Sequence, residues 1–453
     1  MTITSYSSSR VDIRALIAVL LGVALGSLDM SIANTALPII AADLNSSPAS
    51  SIWVVNAYQL TVVASLFPLS ALSDRVGPRK VFLWGIFIFT CSSFLCFLAT
   101  DLRMLLISRA IQGFGAAGVM SVNLALIRLI FPSVHLGRGV GFNALVVGVS
   151  SALGPTVASL VLSFTSWPWL FAISIPFGIL TFSFGFLALP TTSLKKHYFD
   201  FLNALLTSAC FGVFVFAISS TAQMNSSFIF IFSCFLFSFF CGLAVIRRQA
   251  NHPSPIFPVD LFQNRMFSLS ALTAFFSFTT QGLAFIALPF YFLEILFRTP
   301  IEVGYLMTAW PAFVAIMAPL AGHLSDRYAP GLLGGIGLIL LSLGLLFLSF
   351  VTPFTPVFFI IFCMSLCGVG FGFYQSPNLK ALISSAPSNR SGGASGVIAM
   401  ARLLGQTTGA AGVALCFGLS GGLGSTLALY VSVFTSLLAA FFSISRIRVL
   451  DKT

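Results

Sequence analysis

Apolar runs long enough to cross a lipid bilayer follow one another along the whole chain, and they leave little room for any other kind of fold. A spanning helix needs about 20 largely apolar residues. Fourteen such runs can be traced, at 13–38, 52–72, 80–99, 103–129, 139–164, 167–189, 201–221, 227–246, 267–292, 301–321, 331–350, 355–376, 393–418 and 424–445. Short connections join them, so no extramembrane domain remains to house soluble catalysis. Only 22 basic and 11 acidic residues occur among 453, and 58% of the chain is hydrophobic. Mean hydropathy is +1.03. A soluble domain carries about a quarter charged residues. A soluble enzyme, a disordered chain and a secreted disulfide scaffold are therefore excluded. What remains is an all-α integral membrane protein with the lipid bilayer as its solvent.

The basic residues sit mostly in the connections, and they orient the chain. With the N-terminus in the cytoplasm, the inner connections hold Arg75, Arg79, Lys80, Arg138, Lys195, Lys196, Arg247, Arg248, Arg265, Arg327, Lys380 and Arg390. The inner tails hold Arg10, Arg14, Arg446, Arg448 and Lys452, while the outer connections hold only Arg103 and Arg298. A cytoplasmic excess of Lys and Arg is the usual topology signal. An odd number of spans would destroy this separation, so both termini are expected inside. The same reading accounts for the net charge of +11, and no nucleic acid is expected as a partner. The first run is too long for a signal-peptide core and lacks a cleavage site, so it is expected to be retained. The longest connection, 247–266, carries Pro253, Pro255 and Pro258 and reads as a linker at the inner surface. All 8 cysteines lie inside apolar runs without a metal-type CxxC pair and read as small packing residues. The 50 phenylalanines have no functional account at this level.

A long internal repeat is present. Leu72-Ser73-Asp74-Arg75 recurs as Leu324-Ser325-Asp326-Arg327, at an offset of 252, and Gly113-Phe114-Gly115 is echoed by Gly368-Val369-Gly370. In both copies the first segment follows a span and a proline comes after it, Pro78 and Pro330. Duplicated six-helix halves are expected, at 1–190 and 265–453, with a two-helix insertion at 191–264. Repeated halves with a site between them at the midplane are a transporter architecture.

Several segments resemble signatures of the major facilitator superfamily. The loop Ser70-Ala71-Leu72-Ser73-Asp74-Arg75-Val76-Gly77-Pro78-Arg79-Lys80 is similar to its inner-loop signature, with Ser70 and Pro78 as departures. Arg109-Ala110-Ile111-Gln112-Gly113-Phe114-Gly115-Ala116-Ala117 is similar to the signature of its fourth helix. Gly148, Ala152, Gly154 and Pro155 are similar to the antiporter signature, although Ala158-Ser159 stands where a glycine pair is usual, and Ser174 replaces a common asparagine. Leu28-Asp29 with Asn34 and Ala36-Leu37-Pro38, and Trp53-Val54-Val55 with Tyr58-Gln59-Leu60, look like the drug:proton antiporter subfamily with fourteen helices. The resemblance implies a multi-pass protein of a bacterial inner membrane, active as a monomer. It also implies proton-coupled efflux of lipophilic or cationic small molecules by alternating access, with Arg109 in proton coupling.

The residues support a compatible chemistry. Asp29 sits within the first span, where a carboxylate costs several kcal/mol unless it is neutralised or paired. Arg109 lies at a similar depth in the fourth span and is its natural partner. Asp74, Arg75, Gly77 and Arg79, with Asp326 and Arg327 in the repeat, are expected to form a latch at the inner face that pairs across the halves and breaks on opening. Gly148, Gly154 and Pro155 permit close helix approach and a hinge. Asn34, Asn56, Tyr58, Gln59, Gln112, Asn143, Gln281, Tyr291, Trp310, Gln375 and Asn378 are candidates to line a substrate cavity. Arg402 is a further midspan charge, and Glu294 reads as a solvated acid at the outer interface. No GxxxxGK[ST] run and no HExxH occurs, and the four histidines, His135, His197, His252 and His323, lie in inner loops. No cofactor, metal or enzymatic role is expected, and energy must come from a gradient. Two alternatives stand beside efflux: proton-coupled movement of one specific metabolite, and a non-transporting membrane sensor or scaffold.

Overall fold

Backbone amides and carbonyls cannot be left bare in lipid, so each crossing must close its hydrogen bonds internally. The computed structural model describes residues 12–131, 136–191, 200–221, 228–249, 259–385 and 391–447, and among these described residues there is no strand. In chain order the helices are α1 (Ile13–Asp43), α2 (Pro48–Ser51), α3 (Trp53–Val76), α4 (Pro78–Phe97), α5 (Leu102–Ile130), α6 (Leu136–Phe164), α7 (Pro168–Ala172) and α8 (Ser174–Ala188). There follow α9 (Phe201–Thr221), α10 (Phe228–Gln249), α11 (Arg265–Phe290), α12 (Pro300–Leu324), α13 (Pro330–Ser349), α14 (Val357–Ser384), α15 (Ser391–Ser420) and α16 (Gly424–Ser445). Among the described residues, thirteen stretches are long and apolar enough to cross a membrane. The last, Gly396–Ser445, has 50 residues and contains both α15 and α16, which break at the 3-10 turn Gly421–Leu423. Gly421 has φ +54°, a conformation that costs other residues energy. Pro38, expected to end the first span, lies buried inside α1, which runs on to Asp43.

The sequence offset of 252 reappears in the geometry. Asp12 caps α1 and Asn264 caps α11. Ser47 caps α2 and Thr299 caps α12, and α4 and α13 both begin on a proline and run for 20 residues. The helix contacts repeat as well. A Cβ on Gly113 would lie 2.4 Å from the carbonyl oxygen of Tyr58, and one on Gly368 would lie 2.3 Å from that of Trp310. Gly85 meets Gly115 backbone to backbone, and Gly337 meets Gly370 in the same way. Small residues let two helices approach until their backbones touch, which is the main adhesive available in lipid.

The two ends of the helix bundle differ. Where α1, α11 and α15 finish, one apolar cluster joins Ile32, Leu37, Ile40 and Val54 to Leu283, Ile286, Phe290, Val413 and Phe417. This end is closed by side chains from both halves of the chain. At the opposite end the cluster of Leu261, Phe267, Ala271, Leu382 and Val397 takes no residue from the first half. One lateral seam is made by α6 and α12: Thr156 and Thr308 share a hydrogen bond of 2.6 Å, and Gly304 lies against Ser159. The other seam involves α9. Its Val215 joins Tyr58, Val62 and Leu66 of α3 and Met400 and Leu403 of α15 in one cluster, and Phe216 lies 6.0 Å from Trp53. Beyond it, Ser238 of α10 donates to the carbonyl of Cys210 on α9, and Phe230, Phe232, Phe237, Phe239 and Phe240 of α10 are exposed. Part of the phenylalanine excess is thus an outward apolar surface suited to lipid.

Arg446, counted in the sequence with the basic residues of the inner tail, follows the last residue of α16 and is fully buried. It donates to Ser270 Oγ (3.0 Å), Asn378 Oδ1 (2.7 Å), Ser443 Oγ (2.6 Å) and the Ser443 carbonyl (3.2 Å), tying α16 to α11 and α14. Neutral acceptors satisfy the guanidinium, so it need not reach water. Arg14, Arg75, Lys80, Arg247, Arg248, Arg265, Arg327 and Lys380 are exposed as expected. Arg10, Lys195, Lys196, Arg390, Arg448 and Lys452 lie outside the described residues, as do Pro253, Pro255, Pro258, His135, His197 and His252. Replacing Arg446 by Ala strands several buried acceptors and should lower the stability of the detergent-solubilised protein by about 3 kcal/mol. Thermal unfolding checks this, with Arg247→Ala expected to leave the midpoint unchanged.

Candidate functional site

Asp29 comes from the middle of α1 and Arg109 from the second turn of α5, and the structure brings them into contact. Arg109 Nη1 donates to Asp29 Oδ2 at 2.5 Å. Both are buried, Arg109 at 0% and Asp29 at 3% exposure. Gln112, one turn along α5, completes the arrangement. Its Nε2 donates to Asp29 Oδ1 and to Ser93 Oγ, both at 2.9 Å, and its Oε1 accepts from Arg109 Nη1 at 2.6 Å. Arg109 Nε donates to the Val54 carbonyl at 3.2 Å. The guanidinium lies 4.4 Å from the Tyr58 ring centre and 5.4 Å from that of Phe171. Both carboxylate oxygens are therefore occupied, while Arg109 Nη2 has no partner among the described residues. A buried pair of this kind is stable only while both charges stay; removing one strands the other at a cost of several kcal/mol.

The repeat shows what is special to this half. At the offset of 252, Asp29 corresponds to Gln281; at 255, Arg109 corresponds to Met364 and Gln112 to Cys367. The second half keeps the helix contacts but not the charges. Gln281 instead accepts from Gln406 Nε2 at 3.1 Å, across α11 and α15. Arg402, one turn before Gln406 on α15, is half-buried and has no hydrogen bond or ion pair among the described residues. It lies within Coulombic reach of Tyr58.

The other cavity candidates divide. Tyr58 and Gln112 join the ion pair. Asn56 is 0% exposed, yet neither of its amide atoms has a partner among the described residues. Asn34 Oδ1 and Gln59 Oε1 are in the same state. Asn143 accepts from Asn123 at 2.8 Å, and Gln375 is half-buried. Tyr291 is taken up by structure: its hydroxyl donates to the Val351 carbonyl at 2.8 Å. Trp310 lies in the apolar core of the second half with Phe285 and Phe371, and Asn378 holds Arg446. Glu294 is exposed on the π-helical turn Tyr291–Ile295.

The latch residues bond within each half where their partners are known. Asp326 pairs with Lys380, whose Nζ also donates to the Ser325 carbonyl at 3.1 Å. The hydrogen bond from Lys380 and its charge hold the Asp326 carboxyl below the usual carboxylate range. At the same offset, Lys380 corresponds to Arg128. Arg79 donates to the Phe186 carbonyl at 2.5 Å, so it clamps α4 to α8 instead of reaching the opposite half. Asp74, Arg75 and Arg327 are exposed, and Gly77 turns the chain into α4 with φ +94°. Of the hinge candidates, a Cβ on Gly154 would lie 2.4 Å from Ser31, whose hydroxyl donates to the Ser151 carbonyl at 3.0 Å. Pro155 faces Gly304 of α12, and Gly148 meets nothing. Ser93, Phe171, the Val54 carbonyl and Gln406 escaped the sequence reading. Gln406 alone had a signal, its place four residues after Arg402.

A family model described as Major Facilitator Superfamily matches residues 19–410 and, again, 270–450. The chain is similar to "Uncharacterized transporter YebQ" of Escherichia coli, with 45% identity over 96% of this chain and 95% of that one. It is similar to "Riboflavin transporter RibZ" of Clostridioides difficile, with 29% identity over 87% of this chain and 86% of the relative. It is also similar to "Multidrug resistance protein Stp" of Mycobacterium tuberculosis, with 29% identity over 88% and 75% of the two chains. An all-helical chain of membrane-length segments, an internal repeat carried into its contacts and this match over most of the sequence agree: the protein belongs to the major facilitator superfamily and is a transporter of the membrane.

Proposed function

We propose that this transporter is a proton-coupled exporter of lipophilic or cationic small molecules, in the drug:proton antiporter subfamily. On this reading α15 and α16 are separate crossings and complete fourteen, α9 and α10 are the inserted pair, and both termini are cytoplasmic. The carrying observation is the Asp29–Arg109 pair. A carboxylate and a guanidinium held in the dry interior of one half, with no counterpart in the other, suit a proton switch better than a scaffold. Protonating Asp29 removes the counter-charge of Arg109 and turns one of two oxygens that now both accept into a donor. The surrounding bonds must rearrange, which loosens the tie between α1 and α5. The apolar cluster closes the bundle where α1 finishes, which with a cytoplasmic N-terminus is the outer side. In this inward-facing form Asp29 is unprotonated and cargo enters from the cytoplasm. A proton arriving from outside then favours the alternate form and release. Movement of one specific metabolite is the second reading, and the likeness to a relative named for riboflavin favours it. Competition by riboflavin in the assay below separates the two.

Asp29→Asn should abolish proton-driven ethidium uptake into everted membrane vesicles while leaving the protein folded. Full activity in this variant overturns the coupling role. The α6–α12 seam gives an independent check on rocking between the halves. A Cβ on Gly304 would lie 1.8 Å from Ser159 Oγ, so Gly304→Ala overpacks a contact made only when this seam is closed. Such overpacking costs about 1–3 kcal/mol. Initial transport rates should fall in Gly304→Ala and recover in part in the Gly304→Ala/Ser159→Gly double variant, where the Pro155 carbonyl oxygen still lies 2.9 Å from the added Cβ.

A further inference from the structure

Arg402 is the described midspan cation whose requirements the protein leaves unmet. Arg109 has a carboxylate, a glutamine and a carbonyl; Arg446 has two hydroxyls, an amide and a carbonyl. Arg402 has no acceptor among the described residues, although it stands 11 residues into α15, about 16 Å along the axis. A guanidinium at that depth needs an acceptor, and if the fold does not supply one, water or a ligand must.

The direction it faces can be read from its neighbours. Gly405 and Gly409 lie on the backbone of α11, at Phe275 and Thr279. Met400 and Leu403 lie in the cluster with α3 and α9. On a helix of 3.6 residues per turn, Arg402 and Gln406 then share the face between those two directions, the angle between α11 and α3. That face looks into the bundle, away from Leu415 and Leu419, which are exposed on the opposite side of α15. Tyr58, in the cluster with Met400 and Leu403, stacks on Arg109. Gln406 keeps Oε1 unpartnered while its Nε2 bonds Gln281. Gln281 occupies the position that is Asp29 in the first half. Where the first half offers an anion, the second offers a cation and amides.

We propose that Arg402, with Gln406 and Gln281 beside it, is the subsite for a carboxylate or similar oxyanion carried by the cargo. The guanidinium fork matches a planar oxyanion with two parallel N–H donors. The apolar walls from α3 and α9 receive the rest of the molecule. This rests on the reading of the chain as an exporter and adds to its cargo lipophilic compounds that bear an acidic group, including zwitterions.

Two fluorophores that differ in one group test it: dansylglycine, which carries a carboxylate, and dansylamide, which does not. Binding is measured by fluorescence to the full-length protein in lipid nanodiscs. Wild type should bind dansylglycine about tenfold more tightly than dansylamide, the worth of a charge-assisted hydrogen bond. Arg402→Met should erase the preference without changing dansylamide affinity, and Arg402→Lys should retain part of it. Because Arg402 holds no partner, both variants should unfold thermally near wild type; if the Met variant fails to fold, Arg402→Gln serves in its place. No preference in wild type, or an undiminished preference in Arg402→Met or Arg402→Gln, overturns the subsite. Proton-driven ethidium uptake into everted vesicles reads the exporter assignment separately. Uptake without a dansylglycine preference sinks only the subsite, and a preference without uptake sinks only the export reading.

Discussion

Two helices in lipid gain little by hiding apolar surface from each other, because the solvent is as apolar as they are. What holds this molecule together must therefore be close backbone approach and bonds between polar groups. The glycine contacts supply the first. Gly113 on Tyr58 and Gly368 on Trp310, with the Gly85–Gly115 and Gly337–Gly370 crossings, bring α3, α4 and α5 together and then repeat the same junctions in α12, α13 and α14. Side chains at these positions would push the carbonyls apart, and the polar groups behind them would lose their alignment.

The second adhesive is distributed unequally, and function follows the inequality. The first half spends its bonding on Asp29, Arg109, Gln112 and Ser93, a set in which every carboxylate oxygen is used. The second half places its buried arginine near one end of the bundle, on Arg446, bonded to neutral groups that do not titrate near neutral pH. Equivalent backbones thus carry different chemistry. One half holds a buried carboxylate paired with a guanidinium; at the matching positions the other holds Gln281 and Met364, and its Arg402 has no acceptor among the described residues.

The seams between halves hold fewer polar bonds than the junctions within them, although α6 and α12 pack as closely as neighbours inside one half. Along α6 and α12 the described bond is one between threonine hydroxyls, beside the Gly304–Ser159 contact. The α3–α15 seam is apolar and is backed by α9. Halves with their own bonded interiors, joined by largely apolar seams, are what a rocking motion requires. The ionic contacts at the loop ends fit this division, since Asp326–Lys380 and Arg79–Phe186 each stiffen a single half.

Much of this was legible in the chain. Apolar run length set the helices, since lipid permits no other open backbone, and the LSDR echo set the repeat. Asp29 and Arg109 stood out because charge is scarce in such runs, and their depth matched by rise per residue alone. The sequence could not tell Arg446 from the solvated arginines around it, because burial depends on Ser270 and Asn378, far away in the chain. Nor could it show that Tyr291 and Trp310 serve packing, or that Ser93 and Phe171 complete the ion pair. Period and composition are local, and they determined which segments cross, how they repeat and which charges must be exceptional. Hydrogen-bond partnership is a property of helices meeting at particular rotations, and only the tertiary structure decided which buried charge is paired, which is clamped and which is left open.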